Sequence, residues 1–421
     1  MRTRPPGIDL SRRDLTLDLS RVVCVLFVVV VHLLQVGIGP DSGGGLVTSR
    51  PAEQEPWFDA ATWVGQIMPL FFVVGGFAGA AGWASWLAKG GDATGFIRLR
   101  TLRLAQPALP LMVFLAVVLT AVTVAGLAPD LVAAAAVGAG MPLWFLAAYL
   151  ICQAALPALV RAHRRAPVAT VVGLTAGVVF VDVLRFSTGV SEWGLLNLLF
   201  VWPLIQQFGL WYADGWFDRR RPLTLVAIAA AGYATLWPLT VWGPYSTSML
   251  GNLNPPTVPL VVLGLSQACL LRVCRPALAR VMAWRASRAA VFVLGSRLMT
   301  IYLWHLPVIL AVTGVALLIP GAAPTPSSPA WWWTRPLMFV VVIAVLLALS
   351  AVAGRWETIR DLGPVPPPVV VAVAWLCAFL PPFAVMQWSL NVWFAVGGAV
   401  LLAVSVVLLR GTRDRSLASV S

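Results

Sequence analysis

The sequence predicts an all-α polytopic membrane protein of about twelve transmembrane helices, with both termini in the cytoplasm. Three observations predict it. Apolar residues make up 60% of the 421-residue chain and charged residues 11%, whereas a soluble domain carries roughly 25% charged residues. So little polar surface cannot coat a water-soluble fold of this size. Apolar stretches near the roughly twenty residues that cross hydrocarbon as a helix recur along the whole chain. Finally, the basic residues alternate from gap to gap. Loops on one face hold 26 Lys and Arg, and loops on the other hold only Arg50, Arg185 and Arg335. That asymmetry orients the first face toward the cytoplasm.

The spans follow in order. The first is expected over 21–38, after a basic segment with Arg2, Arg4, Arg12 and Arg13. A secretory signal also starts this way. This run, however, holds His32 and ends in Gly-Ile-Gly-Pro without a small-residue cleavage site, so it reads as a retained span. The others are expected over 61–87, 107–127, 141–160, 167–184, 195–213, 223–242, 257–273, 290–318, 336–354, 367–386 and 389–409. The last two are separated by a short turn region. The domain reading is a cytoplasmic segment 1–20, a membrane core 21–354, a cytoplasmic linker 355–366, a further helical pair 367–409 and a tail 410–421. The largest outer segments are 39–60, with Glu53, Glu55 and Asp59, and 319–335, which ends in Trp331, Trp332 and Trp333. That tryptophan run reads as an interfacial anchor.

Composition also excludes classes. The net charge of +13 is dispersed among apolar runs rather than gathered on one surface, so no nucleic-acid partner is expected. The five cysteines form no CxxC pair and lie in or beside apolar runs, so neither a disulfide framework nor a metal site is expected.

Ionisable groups inside spans carry the functional reading, because hydrocarbon penalises them. His32 lies eleven residues after Arg21, about 16 Å along a helix axis. With Arg21 at the inner boundary, the imidazole reaches about mid-membrane. His305 lies well inside the ninth span, with Tyr302 three residues before it. Unpaired, each would cost several kcal/mol, so each needs a partner or a polar cavity. His163, beside Arg161, Arg164 and Arg165, reads as topological charge. Arg98, Arg100 and Arg103 stand at the cytoplasmic mouth of the third span. They serve either as positive-inside charge or as planar donors for phosphate oxygens.

Several segments together resemble the membrane-bound acyltransferase 3 family. Asp18-Leu-Ser-Arg21, ten residues and then His32 is similar to its first-helix motif. Phe71-Phe-Val-Val-Gly-Gly-Phe77 is similar to its second-helix segment, with Gly75 where Ser is usual. Arg100-Thr-Leu-Arg103 matches its Arg-x-x-Arg motif, followed by Pro107. Leu143-Trp-Phe-Leu146 with Tyr149, Asn254-Pro-Pro-Thr257 and Ile301-Tyr-Leu-Trp-His305 resemble later segments. The likeness covers about 14–354. It implies a ten-span acyltransferase core with two appended C-terminal helices, in the inner or plasma membrane.

The resemblance further implies transfer of an acyl group, commonly acetyl, from acyl-CoA to a hydroxyl of a glycan, glycolipid, lipid or secondary metabolite. His32 would be general base or transient acyl carrier, assisted by Arg21. Arg98, Arg100 and Arg103 would hold the donor, Tyr302 and His305 would line the acceptor side or stabilise the oxyanion, and Asp18 would be a structural partner of Arg21. No metal is implied. The alternative from another class is a twelve-helix secondary transporter, which shares the layout. Against it stand the scarcity of membrane-embedded acids and the lack of evident similarity between the two halves.

Overall fold

In the computed structural model, residues 14–40, 45–127, 129–359 and 362–411 are described. Arg2, Arg4, Arg12, Arg13, Arg360, Arg413 and Arg415 lie outside them, as do most of the expected 1–20 segment and nearly all of the 410–421 tail. Among the described residues, twelve helical segments are long and apolar enough to cross a membrane, so the chain is an all-α polytopic membrane protein.

Helix α1 (Leu15–Gln35) starts where the Asp14 carboxylate accepts from the Thr16 backbone N–H, and its 21 residues span about 31 Å. A short antiparallel hairpin follows, β1 (Gly37–Pro40) and β2 (Leu46–Ser49), pairing Gly37 with Ser49. Helix α2 (Phe58–Gly65) then breaks before α3 (Met68–Ala88), which has Pro69 in its first turn. The sequence reading ran these together as one span. Proline lacks the N–H needed to continue the α2 hydrogen-bond ladder but suits a new first turn.

Helix α4 (Ala93–Val124) is capped by Asp92, which accepts from the Gly95 N–H. It begins fourteen residues before the expected third span, so the arginine motif lies on the helix itself rather than in a loop. Helix α5 (Pro129–Gly140) occupies what was expected to be a plain connection. Being only 12 residues long, about 18 Å, it stays on the outer side as one wall of the site. Helices α6 (Leu143–Arg165), α7 (Pro167–Thr188), α8 (Val201–Ala213), α9 (Pro222–Val241) and α10 (Val258–Ala283) complete the middle of the chain. A 3-10 segment, Ser191–Leu199, leads into α8. The expected ninth span divides into α11 (Arg285–Gly295) and α12 (Leu298–Leu317), broken at Ser296–Arg297. Helix α11 carries Arg285 and Arg288, and its 11 residues are too few to cross hydrocarbon. Helices α13 (Pro329–Ala353), α14 (Pro368–Trp388) and α15 (Val392–Arg410) follow.

Close backbone approach fixes the core. A Cβ on Gly76 of α3 would sit 2.2 Å from the Gln206 carbonyl oxygen of α8, and one on Gly209 of α8 would sit 2.0 Å from that of Val73. In lipid, where helices gain no hydrophobic advantage from pairing, such small-residue crossings supply the contact.

Outer loops are tied down by buried polar groups. Asp182 of α7 accepts from Asn197 Nδ2 (2.7 Å), the Tyr245 hydroxyl (3.0 Å) and the Val258 N–H (3.0 Å). Burial and the Asp182 charge hold the Tyr245 phenol above its usual range. Asp59 and Thr62 of α2 bind Thr247 and Met249 of the same 242–257 loop. At the inner face, His163 is more than topological charge: its Nε2 lies 2.9 Å from Asp214 and joins the ends of α6 and α8. The tryptophan run also divides, with Trp331 1% exposed under Arg335 and Trp333 84% exposed. Only the latter fits an interfacial anchor.

The last two helices are integral rather than peripheral. Arg98 is 3% exposed. Its guanidinium donates to the carbonyls of Leu409 (2.6 Å), Arg410 (2.9 Å) and Gly363 (3.1 Å). It satisfies the orphan carbonyls at the end of α15. Arg410 in turn donates to Gln106 of α4, which donates to the carbonyls of Trp356 and Thr358.

Candidate active site

The two histidines singled out within spans meet. His32 of α1 and His305 of α12 have ring centroids 4.9 Å apart, and His305 Nε2 lies 3.0 Å from His32 Nδ1. His305 Nδ1 lies 2.5 Å from the carbonyl of Tyr302, and His32 Nδ1 also lies 3.0 Å from that of Val28. Carbonyl oxygens only accept, so these contacts assign the tautomers. His305 carries its proton on Nδ1 and donates it to Tyr302, which leaves Nε2 with a lone pair. His32 then carries its proton on Nδ1, shared between the Val28 carbonyl and His305 Nε2. The free lone pair of His32 is therefore on Nε2.

Burial separates the two rings. His305 has no exposed surface, whereas His32 is half-buried and lines a cavity of about 470 Å³. The cavity is amphipathic: Gln35, Arg50, Glu53, Asn254 and Ser389 stand with Trp144, Met141 and Val385. Glu53 accepts from Gln35 Nε2 (2.7 Å) and pairs with Arg50 at 3.3 Å, so the polar rim is joined to the end of α1. Arg50 and Glu53 belong to the outer loop, so the cavity opens away from the arginine-rich face. The rim was not singled out as part of the site. The acidic cluster at 53–59 was the available signal, but nothing in the sequence says that the hairpin after α1 returns Arg50 and Glu53 to the cavity that His32 lines.

On the inner side, Arg100 lies within electrostatic reach of Arg21, Arg103 and Tyr149. Arg103 is exposed, and Arg100 stands over the Phe96 ring at 4.9 Å. Gly82 makes room for it, since a Cβ there would meet Nη2 at 2.4 Å. Arg98 is not part of this group. Two residues before Arg100 on one helix, it points to nearly the opposite side and spends its donors on α15. Asp18 lies one turn before Arg21 on α1 and lines a separate inner cavity with Arg288.

A column of rings joins the two halves. Tyr149 contacts Phe71, Phe72 and Phe145, Phe145 contacts Tyr302 at 4.8 Å, and Tyr302 contacts His305 at 5.7 Å. The Tyr302 hydroxyl donates to the Pro142 carbonyl at 2.7 Å, so it is spent on the scaffold. Among the described residues, no group of three or more His, Cys, Asp or Glu is arranged to hold a metal ion.

Comparisons with known proteins identify the family of the chain. Residues 14–355 match the family model described as an acyltransferase domain, of the acyltransferase 3 type. Neither a curated protein nor a solved structure matches the chain. The match begins at the Asp14 cap of α1, takes in His32, the arginine motif and His305, and ends before α14 and α15. The chain therefore belongs to the acyltransferase 3 family of multi-pass membrane proteins.

Proposed function

We propose that this acyltransferase moves an acetyl or similarly short acyl group from acyl-CoA to a hydroxyl acceptor, a glycan, lipid or secondary metabolite, at the plasma membrane, with His32 as the central catalytic group. The observation that carries the reading is the juxtaposition of His32, which lines an outward-facing cavity, with the fully buried His305 behind it. His32 Nε2 removes the proton as the acceptor oxygen attacks the thioester carbonyl. The resulting imidazolium donates more strongly from Nδ1 to His305 Nε2, and gives its Nε2 proton to the CoA thiolate that leaves as the C–S bond breaks. His305 in turn is held by the Tyr302 carbonyl. His305 is thus a positioning residue, backing the base as a third group backs a base–nucleophile pair. With its ring fully enclosed and the Tyr302 hydroxyl engaged elsewhere, that role fits better than oxyanion stabilisation.

The donor is polyanionic and approaches from the inner face. Arg100 and Arg103, with Arg21 beside them, supply guanidinium donors for its phosphates. The pantetheine arm would run along the Tyr149–Phe145 column to His32. Arg98 is better read as a clamp on α15.

A second reading has support of its own. Donor charge on one face and an acceptor cavity on the other suit a His32 that takes the acyl group on Nε2, with departure of the CoA thiolate. It then passes the group to the acceptor hydroxyl. Incubation with acetyl-CoA, rapid acid quench and peptide mass analysis separates the two: an acetyl increment on the His32 peptide supports the carrier, and its absence under turnover supports the base. A twelve-helix transporter predicts uptake without thiol release, so acetyl-CoA-dependent release of free CoA thiol, lost in His32→Ala, decides between classes.

A further inference from the structure

The cavity that holds His32 borders a second one. Val137 of α5 and Ser389, just after α14, line both. The second measures about 460 Å³ and lies between the outer end of α4 (Leu119, Thr123, Leu127), α5 (Val132) and the turn from α14 to α15. Chemistry changes across the shared wall. The first cavity carries His32, Gln35, Arg50, Glu53 and Asn254, whereas the second is lined mainly by Leu, Val, Ala and Trp side chains. Around the second, Val124, Leu127 and Trp388 are exposed large apolar residues. The alternation of spans puts the end of α4 and the α14–α15 turn at the outer side, so this rim faces the lipid of the outer leaflet.

We infer that the acceptor is a membrane-borne amphiphile. Its hydroxyl-bearing head occupies the His32 cavity, and its apolar chain lies in the groove between α4–α5 and the α14–α15 turn, entered sideways from the bilayer. A fully polar acceptor would have no use for the apolar half, and a simple hydrocarbon none for the Arg50–Glu53 rim. An amphiphile matches both halves and the depth at which they meet. The α14–α15 pair lies beyond residues 14–355 of the family match, so one wall of the groove, Trp388 to Val392, stands outside the shared core. This inference rests on the acyl-transfer reading of the His32 cavity.

The test uses full-length protein in nanodiscs and a hexadecyl glucoside with a photoreactive diazirine on its chain. After irradiation, peptides from 117–127 and 385–396 are expected to carry most of the label, in preference to the lipid-exposed face of α9. Thr123→Trp and Ala133→Trp place bulk into the groove at exposed positions and are expected to remove most of that label while the protein stays folded. Label spread evenly over lipid-facing helices, or unchanged in both variants, overturns the inference. Thiol release from acetyl-CoA is measured on the same samples. Thiol release that depends on His32 without preferential labelling sinks the amphiphile groove alone. Preferential labelling with no His32-dependent release sinks the acyl-transfer reading instead.

Discussion

His305→Phe isolates the contribution of the second histidine, because it keeps a ring of similar size while removing both nitrogens. In the parent, the Nδ1 proton of His32 is shared between His305 Nε2 and the Val28 carbonyl, each 3.0 Å away. During transfer that proton belongs to an imidazolium, and a hydrogen bond to a charged group is worth about 1.5–3 kcal/mol. The Val28 carbonyl still accepts in the variant, so the loss lies near the low end. At roughly 1.4 kcal/mol per decade, kcat falls about tenfold, with little change in KM for acetyl-CoA. Initial rates of thiol release in nanodiscs, across donor concentration and pH, measure both constants. An unchanged kcat would show that His305 does not support the base. A loss as deep as that of His32→Ala would show that His305 acts on the reacting atoms itself. Either result refutes the relay.

Other outcomes follow from the same geometry. Arg100→Gln and Arg103→Gln should raise KM for acetyl-CoA and leave folding intact. Arg98→Gln should leave KM unchanged and destabilise the α15 end by about 1.5–3 kcal/mol or more, since the carbonyls of Leu409, Arg410 and Gly363 lose a charged donor; ligand kinetics and thermal denaturation in detergent separate the pair. Gly209→Ala drives a Cβ toward the Val73 carbonyl at 2.0 Å and should cost about 1–3 kcal/mol by overpacking, visible as a lowered melting temperature. Tyr245→Phe removes one of three donors to Asp182 and should destabilise the outer loop by about 1–3 kcal/mol. Because the parent phenol is held above its usual range, its contribution is fully present below about pH 10 and is lost only as pH rises through the folded value. A parent and variant with the same stability at pH 7 would argue against this contact.

Much of the framework was legible because lipid constrains it. Continuous apolar runs and the alternation of arginines locate the crossings, since neither signal depends on tertiary packing. His32 and His305 stood out for the same reason: hydrocarbon tolerates them only with partners. Their meeting was not legible, because 273 residues separate them and periodicity says nothing about which helices touch. Helix α5 was missed because a run of small apolar residues, Ala133 to Gly140, is too short to register as a span. Arg98 was grouped with Arg100 and Arg103 by sequence proximity, although two residues on a helix turn a side chain almost fully around. The outer rim at Gln35, Arg50 and Glu53 depended on a hairpin whose pairing no short pattern announces.

The central claim is that the half-buried imidazole of His32 performs the transfer. The most direct measurement is acetyl-CoA thiol release by purified His32→Ala beside the parent, in nanodiscs made with envelope lipids from a strain lacking the gene. Mass analysis of those lipids follows the acceptor. The parent should release thiol and add acetyl to a lipid-borne acceptor, and the variant should insert and melt normally yet do neither. Equal release and equal acetylation by the two proteins would contradict the account.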